Sequence, residues 1–391
     1  MRHVPDSERR ARLAVRHALG SQHQVATPEA ATLAMTAMHS TEPATVYLSY
    51  WARVRSLTIA DVDRALYSGR TLVKQLAMRR TLFVFPRDLL AAVLASASAR
   101  VAVNERARLA KDLVSAGITS DGGAWLDQAR AAVLAALADA PAGLTAAELR
   151  AAVPFIDVKF DPPSGEPWSV SRLLVGLGAA GDIQRAENTG HWRTSRPRWT
   201  LTHHWYDAGP PVSSSDGYRE LVRRWLYSFG PGTEADLVWW LGSTKSVVRA
   251  ALAELGAVSV GLDGGDTGWL LPDDLDVVDT PTPWVALLPV LDPTVMGWRS
   301  RDFYLGPHAE RLFEARGNAG TTAWVDGRIV GCWVQDSAGR VHVSLVDEVS
   351  PEARRALDTE AERLTDWLAG ERVGMVYVSP AMKQALSSLP S

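Results

Sequence analysis

The sequence predicts a mainly helical α+β protein in which a block of three helices and a β-hairpin occurs three times, followed by a small α+β domain. Segments with apolar residues at helical spacing are followed by pairs of short β-type runs. The turn Phe229–Leu237 also parallels Ala140–Leu149, and in each turn a threonine is placed to cap the next helix. The predicted segments are 1–115, 120–210, 214–276 and 282–391.

The composition is that of an ordinary globular protein. Of 391 residues, 47% are hydrophobic and 22% are charged, and the net charge of −3 argues against a general polyanion binder without excluding a basic groove. The single cysteine, Cys332, allows no intrachain disulfide and indicates a reducing compartment. No zinc-type spacing, signal peptide or transmembrane run is present. We therefore expect a cytoplasmic protein that needs no metal or cofactor and binds no membrane.

The stretch Ala37–Arg53 lies where two helical patterns meet and holds the candidate catalytic residues. A serine or threonine followed closely by Pro43 indicates a helix N-terminus. If the backbone before it is extended, His39 and Thr41 project to the same side, at the positive end of that helix. A neutral histidine beside a hydroxyl and the Glu42 carboxylate can activate a water molecule. The alternative is a helix cap preceded by a loop histidine, with no catalytic role.

The segment Leu72–Pro86 predicts two β-strands joined at Arg79 and Arg80. Three helices followed by a two-stranded ribbon are typical of the winged helix–turn–helix, a DNA-binding unit whose ribbon is the wing. The two arginines are then expected at the wing tip. The alternative is that they are solvated turn residues.

A second hairpin is predicted from residues 182–189 and 192–202. Its returning strand interleaves arginines with Trp192 and Trp199, which suits phosphate contact and base stacking. The alternative is a charged edge strand that resists aggregation. The predicted DNA contacts are Ser40, Arg53, Arg79, Arg80, Arg193, Arg196 and Arg198.

The last hundred residues predict a small α+β domain. A buried strand is expected within Trp284–Pro293 and a hairpin across Asp326-Gly327. An amphipathic helix is expected over Pro351–Leu368, and a last strand over Arg372–Val378.

Several strings of the sequence are similar to one known family. These are Leu287–Pro293, Trp298–Tyr304, Gly317–Gly331 and Pro43–Val54. Together with the tandem winged helices, they resemble the winged-helix DNA glycosylases of the AlkZ/YcaQ type over nearly the whole chain. That family excises alkylated or crosslinked bases, some of them bulky adducts of DNA-damaging natural products. The resemblance implies a monofunctional glycosylase acting on damaged double-stranded DNA and associated with the bacterial nucleoid. Three fused modules in one chain favour a monomer over the symmetric dimer that is usual for a regulator.

The catalytic motif of that family is glutamine–apolar–glutamine, or a variant ending in aspartate, just before a helix. The matching positions hold His39, Ser40 and Thr41, so this sequence departs from the pattern at both catalytic residues. We expect His39 to bind or deprotonate a water, Thr41 to orient it, and Glu42 to orient His39 or supply negative potential. The expected substrates are bulky N7-guanine adducts, in a self-resistance role. The alternatives are a non-catalytic DNA-binding protein, either a lesion binder or a regulator, and a small-molecule binder that sequesters a toxin.

Overall fold

The chain forms a mixed α/β structure made of two compact units. The computed structural model describes residues 2–161, 165, 167–207 and 209–389. The predicted first segment begins at Met1 and the predicted last segment ends at Ser391, and these two residues lie outside the described ones. The contiguous unit is Arg64–Glu220, and the discontinuous unit combines Met1–Asp63 with Leu221–Ser391. Within the described ranges, no helix is both long and apolar enough to cross a membrane.

A four-stranded sheet in the discontinuous unit includes the start of the chain, which the sequence did not predict. His3–Val4 pairs in parallel with Val258–Leu262, which continues to Thr267–Leu270 and then to Gly232–Thr233. The Asp263 carboxylate accepts hydrogen bonds from the backbone N–H of the first helix and from the His3 ring. The N-terminal residues are therefore held by a segment about 260 positions later in the chain.

The helix Glu234–Leu241 begins as predicted, because Thr233 and Asp236 form a reciprocal capping box. Asp236 is fully buried, and its other carboxylate oxygen accepts the backbone N–H groups of Arg299 and Ser300 at 2.8 and 3.0 Å. One cap therefore also fixes a later loop. The other helices before the C-terminal sheet are Asp6–Arg16, Pro28–Ala34, Pro43–Trp51, Ile59–Asp63, Ser214–Phe229, which crosses the unit boundary, and Lys245–Glu254.

The C-terminal sheet is antiparallel, and its order follows the chain. The predicted Asp-Gly turn is confirmed, because Asp326 and Gly327 have φ values of 48° and 81° between two paired strands. The predicted helix Pro351–Leu368 is confirmed at both ends. The strands are Val285–Leu288, Thr322–Val325, Arg328–Gln335 and Val341–Leu345, and the short helices between the first two are Pro293–Met296, Asp302–Leu305 and Ala309–Leu312.

The predicted last strand over Arg372–Val378 is wrong. The Gln335 side chain donates to the Glu371 carbonyl and accepts from the Val373 N–H, at 3.0 and 2.9 Å. These backbone groups therefore bond to a side chain and not to a neighbouring strand. A helix that was not predicted, Pro380–Ser387, follows.

The contiguous unit contains both predicted hairpins. The first pairs Leu72–Ala77 with Thr81–Pro86, as predicted. In the second, the returning strand begins at Pro197, later than predicted, because the Asn188 side chain bonds to Thr194 and Arg196 and closes a loop. The second strand pair is Ile183–Asn188 with Pro197–Leu201, and the helices are Arg64–Ser68, Leu90–Val93, Leu94–Ser98, Ala99–Ser115, Gly122–Ala138, Ala146–Ala152, Val170–Ala179 and Thr202–Trp205.

Candidate functional site

The candidate site begins where the short strand Met38–His39 ends and the helix Pro43–Trp51 begins. Pro43 is in the first turn as predicted, but Glu42 holds the N-cap position, so the predicted serine or threonine cap is wrong. The chain bends at Thr41 and Glu42. Because the extended backbone does not reach Thr41, the period-two argument that places His39 and Thr41 on one side does not apply.

Burial separates the three residues that match the family motif. His39 and Ser40 are 6% and 3% exposed, whereas Thr41 is exposed. The Ser40 hydroxyl has no hydrogen-bond partner among the described residues. Thr41 is therefore the motif residue whose hydroxyl is accessible to a substrate or a water, and His39 and Ser40 lie behind it.

Glu42 is the half-buried carboxyl group of this junction. Burial raises the pKa of Glu42 above its ordinary value, because the ionised form loses hydration. Its side chain makes no capping hydrogen bond that would favour the ionised form. A carboxyl group with a raised pKa is suited to accept and release a proton nearer neutral pH.

Tyr377 interacts electrostatically with the Glu42 junction, which the sequence did not predict. The pKa of its hydroxyl is raised by burial and, next, by the carboxylates of Glu42 and Glu314. The phenol therefore lies in the electrostatic field of Glu42. The sequence contained a signal for this loop, because Ser379-Pro380 is the same type of helix start as that used at Pro43, and Ser379 does cap a helix.

The helix that follows Glu42 is fixed by a polar stripe on one face. Thr45, Ser49 and Arg53 lie four residues apart. The Thr45 hydroxyl donates to the Val290 carbonyl at 3.0 Å, and the Ser49 hydroxyl donates to Asp292 at 2.7 Å. The helix is thereby bonded to the loop after the first strand of the C-terminal sheet.

Arg53 and Asp292 form a fully buried ion pair, each being 0% exposed. The two guanidinium nitrogens of Arg53 donate to the two carboxylate oxygens at 2.7 and 2.9 Å. Burial alone would raise the pKa of Asp292, but Arg53 and hydrogen bonds from Ser49 and Thr294 outweigh it and lower the pKa. The predicted DNA contact of Arg53 does not fit this structure, because its guanidinium is enclosed and already paired.

His17 extends this network. Its Nε2 bonds to the Ser228 carbonyl at 3.1 Å, which can only accept, so Nε2 carries the proton. Its Nδ1 then accepts from the Thr294 hydroxyl at 2.9 Å, and that hydroxyl accepts from Arg53 at 2.8 Å. Burial and the nearby Arg53 lower the pKa of His17 to about 3, so the ring is neutral at pH 7. We refer to His17, Ser49, Arg53, Asp292 and Thr294 as the Arg53–Asp292 network.

The predicted DNA contacts other than Ser40 and Arg53 lie in the contiguous unit. Arg79 and Arg80 occupy the first hairpin turn with positive φ, and Arg80 pairs with Glu105 at 2.9 Å. Arg198 bonds to the Gly143 carbonyl and to Glu148. The Arg193 guanidinium bonds to His191, and Arg196 is exposed in the loop of the second hairpin. Their contact with DNA remains a prediction.

The described residues hold no group of three or more histidine, cysteine, aspartate or glutamate side chains placed to bind a metal ion. Cys332 is buried in a strand, and burial raises the pKa of its thiol to about 12. The chemistry available at the Glu42 junction is therefore that of a carboxyl group, hydroxyl groups and an imidazole.

The comparison with protein families places the chain in the class of DNA glycosylases. The family model described as DNA glycosylase AlkZ-like matches residues 32–367, which include the Glu42 junction and, apart from His17, the Arg53–Asp292 network. The chain therefore belongs to the AlkZ-like DNA glycosylase family, and this membership implies glycosylase activity and DNA binding.

In structure the chain is similar to the DNA glycosylase AlkZ of Streptomyces sahachiroi. The TM-score is 0.73, and the match covers 93% of this chain and 97% of that one at 17% sequence identity. At this identity the likeness shows a shared fold. No curated protein matches the chain in sequence.

Proposed function

We propose that this protein is a monofunctional DNA glycosylase that hydrolyses the N-glycosidic bond of alkylated purines in double-stranded DNA. The proposed substrates are bulky N7-guanine adducts of genotoxic natural products, in a self-resistance role. The observation that carries the proposal is Glu42, a half-buried carboxyl group with a raised pKa at the start of a helix fixed by buried polar contacts, in a chain of the AlkZ-like family.

The reaction suits a site with these groups. Alkylation at N7 makes guanine cationic, so the C1′–N9 bond breaks with its electron pair moving to the base and leaves an oxocarbenium-like sugar. A water oxygen then bonds to C1′, and its proton passes to the Glu42 carboxylate and on to solvent. The products are an abasic site and the neutral alkylguanine. Orientation and electrostatic stabilisation supply the rate.

The different exposure of the residues at the junction supports a different role for each of them. Glu42 accepts the proton of the water, and the exposed Thr41 hydroxyl orients that water. His39, buried behind them, holds the junction in place. None of these side chains is an amine that could form a Schiff base, which supports simple hydrolysis.

We further propose that the three helix–hairpin blocks act as winged-helix modules of a monomer on the duplex. In this arrangement arginines of the hairpins contact phosphates and position the protein without reading sequence. The proposed contacts are Arg79, Arg80, Arg193, Arg196 and Arg198.

The test is single-turnover base release from duplex DNA that carries either N7-methylguanine or a bulky N7-guanine adduct. We expect wild type to form abasic product and Glu42→Gln to be slower by about 10²- to 10⁴-fold, because the general base is removed. Glu352→Gln is the matched control, because Glu352 likewise lies at the start of a helix but its side chain is 75% exposed. It should retain the wild-type rate.

The outcomes separate the proposals. A wild-type rate in Glu42→Gln would contradict the role of that carboxylate. Release of the methyl adduct without release of the bulky one would contradict the substrate class. Tight binding with no product from either duplex would support the non-catalytic DNA-binding alternative.

A further inference from the structure

Three cationic side chains surround Tyr67 in the contiguous unit. The Lys74 ammonium donates to the Tyr67 hydroxyl at 2.9 Å, and the Arg70 Nε donates to the Tyr67 carbonyl at 3.2 Å. Arg185 lies within electrostatic range of the same tyrosine. Three positive charges are thus associated with one tyrosine, Arg70 through its backbone carbonyl and Lys74 through its phenol.

Aromatic rings hold these cations. The Arg70 guanidinium lies 3.8 Å from the centre of the Trp205 ring, and Arg185 lies 4.6 Å from that of Trp199. Arg185 and Trp199 are directly opposite each other in the second hairpin, so the strand register sets this contact. An aromatic face attracts a cation through its quadrupole but, unlike a carboxylate, leaves the net charge unchanged.

Among the described residues, neither Arg70 nor Arg185 has a carboxylate partner. Other arginines of this unit do: Arg130 pairs with Asp182, and Arg172 pairs with Asp112. Arg185 is also half-buried, and the loss of hydration lowers its pKa to about 10. It remains charged at neutral pH. A cation that is partly buried without an anion costs free energy, and a bound anion would recover it.

We propose that Arg70, Lys74 and Arg185 form a binding site for a backbone phosphate of DNA. Guanidinium groups offer a planar fork of donors that matches phosphate oxygens, and the lysine ammonium adds a point charge. The rings of Trp199 and Trp205 already carry these cations, which favours a phosphate over a stacked base as the ligand. The inference rests on the proposed function, because it takes DNA as the source of the phosphate, and it assigns residues that the sequence analysis did not.

The test is the salt dependence of binding to an undamaged duplex, which requires no excision. Removing one phosphate contact should reduce the slope of log Kobs against log salt by about 0.9. We expect this reduction in Arg185→Gln and in Arg70→Gln, with weaker binding to every sequence. Arg185→Lys keeps the charge and should keep most of the slope.

Arg130→Gln is the matched control. It removes one positive charge from the same unit, so it changes the net charge equally, but Arg130 is paired with Asp182 and half exposed. Its slope should equal that of wild type. Thermal unfolding of each variant shows that it is folded, and Lys74→Met provides an independent variant if one arginine variant fails to fold.

Wild-type slopes in Arg185→Gln, Arg70→Gln and Lys74→Met would overturn the inference. So would inorganic phosphate binding that Arg185→Gln abolishes while the DNA slope stays unchanged, because the site would then take free phosphate. If wild type releases bases and the slopes do not change, only this inference fails. If the slopes fall but no base is released, this inference stands and the proposed hydrolysis fails.

Discussion

Two regions of the molecule, one around Arg53 and one around Arg185, hold their cations in different ways. In the discontinuous unit, Arg53 is enclosed with Asp292, and Arg12 bonds to Glu8 and Asp274. In the contiguous unit, Arg185 lies on a tryptophan ring. A carboxylate cancels the charge and fixes the side chain, whereas an aromatic face fixes the side chain and leaves its charge available to a ligand.

Whether a cation is held by a carboxylate or by an aromatic ring depends on the role of that residue, and not on the unit that contains it. Arg172 and Asp112 pair at 3.1 Å inside the contiguous unit, with each side chain 6% exposed. That pair connects the helices Ala99–Ser115 and Val170–Ala179, which are structural elements of the unit. The comparison thus distinguishes cations that hold helices together from cations that can take an anion.

The largest effect is expected for Asp292→Asn. The change leaves the Arg53 charge buried without a counterion, so the free energy of unfolding should fall by about 3–5 kcal/mol. Urea unfolding measures this loss. The control is Asp127→Asn, whose partner Arg106 is exposed; such pairs contribute about 0–1 kcal/mol. Equal losses of unfolding free energy in the two variants would contradict the claim that the buried ion pair contributes more than the exposed one.

The same ion pair should make the stability of the protein depend on pH in the acid range. The pKa of Asp292 is lower in the folded protein, so its contribution is present above the ordinary pKa of an aspartate and is lost as pH falls through the folded value. Wild type should therefore lose stability on acidification through this window. Asp292→Asn should show a flatter profile of melting temperature against pH. Parallel profiles would show that Asp292 does not couple folding to protons.

A smaller effect is expected for Arg185→Gln. The variant loses a cation–π contact of about 0.5–2 kcal/mol but also removes a charge that lacks a carboxylate partner. The two terms oppose each other, so the free energy of unfolding should change by about 1 kcal/mol or less. A loss as large as that of Asp292→Asn would show that Arg185 has a structural role.

The smallest effect is expected for Glu42→Gln, and it should be a gain. The folded pKa of Glu42 is raised, so the folded state binds its proton more tightly than the unfolded state does, and stability falls as pH rises through that window. Above the window the glutamine variant should melt at a higher temperature than wild type, and below it the two should agree. Lower stability at neutral pH would contradict the desolvation of this carboxyl group.

Elements with local signals were predictable from the sequence. The helix Pro351–Leu368 was predicted at its observed ends, and the helices Ala146–Ala152 and Glu234–Leu241 follow the threonine caps that the two parallel turns predicted, because caps and apolar spacing are properties of adjacent residues. The first hairpin and the Asp326-Gly327 turn were predictable for the same reason.

The site was less predictable because its partners are distant in the chain. Nothing near Arg53 distinguishes it from a surface arginine, since Asp292 lies 239 residues further on. Tyr377 was assigned to a strand because the competing partner of that backbone, the Gln335 side chain, is equally remote. His39 and Thr41 were placed together by an extended backbone that ends at His39.

The discontinuous unit has a consequence for synthesis on the ribosome. The residues of the contiguous unit are complete once Glu220 emerges, so that unit can fold while the rest of the chain is being made. Arg53 must wait for Asp292, 239 residues later, which takes roughly 12–48 s at about 5–20 residues per second. During that interval the helix after Glu42 lacks its buried counterion. The emergence of Asp292, and not that of the candidate catalytic segment, therefore sets the earliest moment at which the Arg53–Asp292 network can form in a nascent chain.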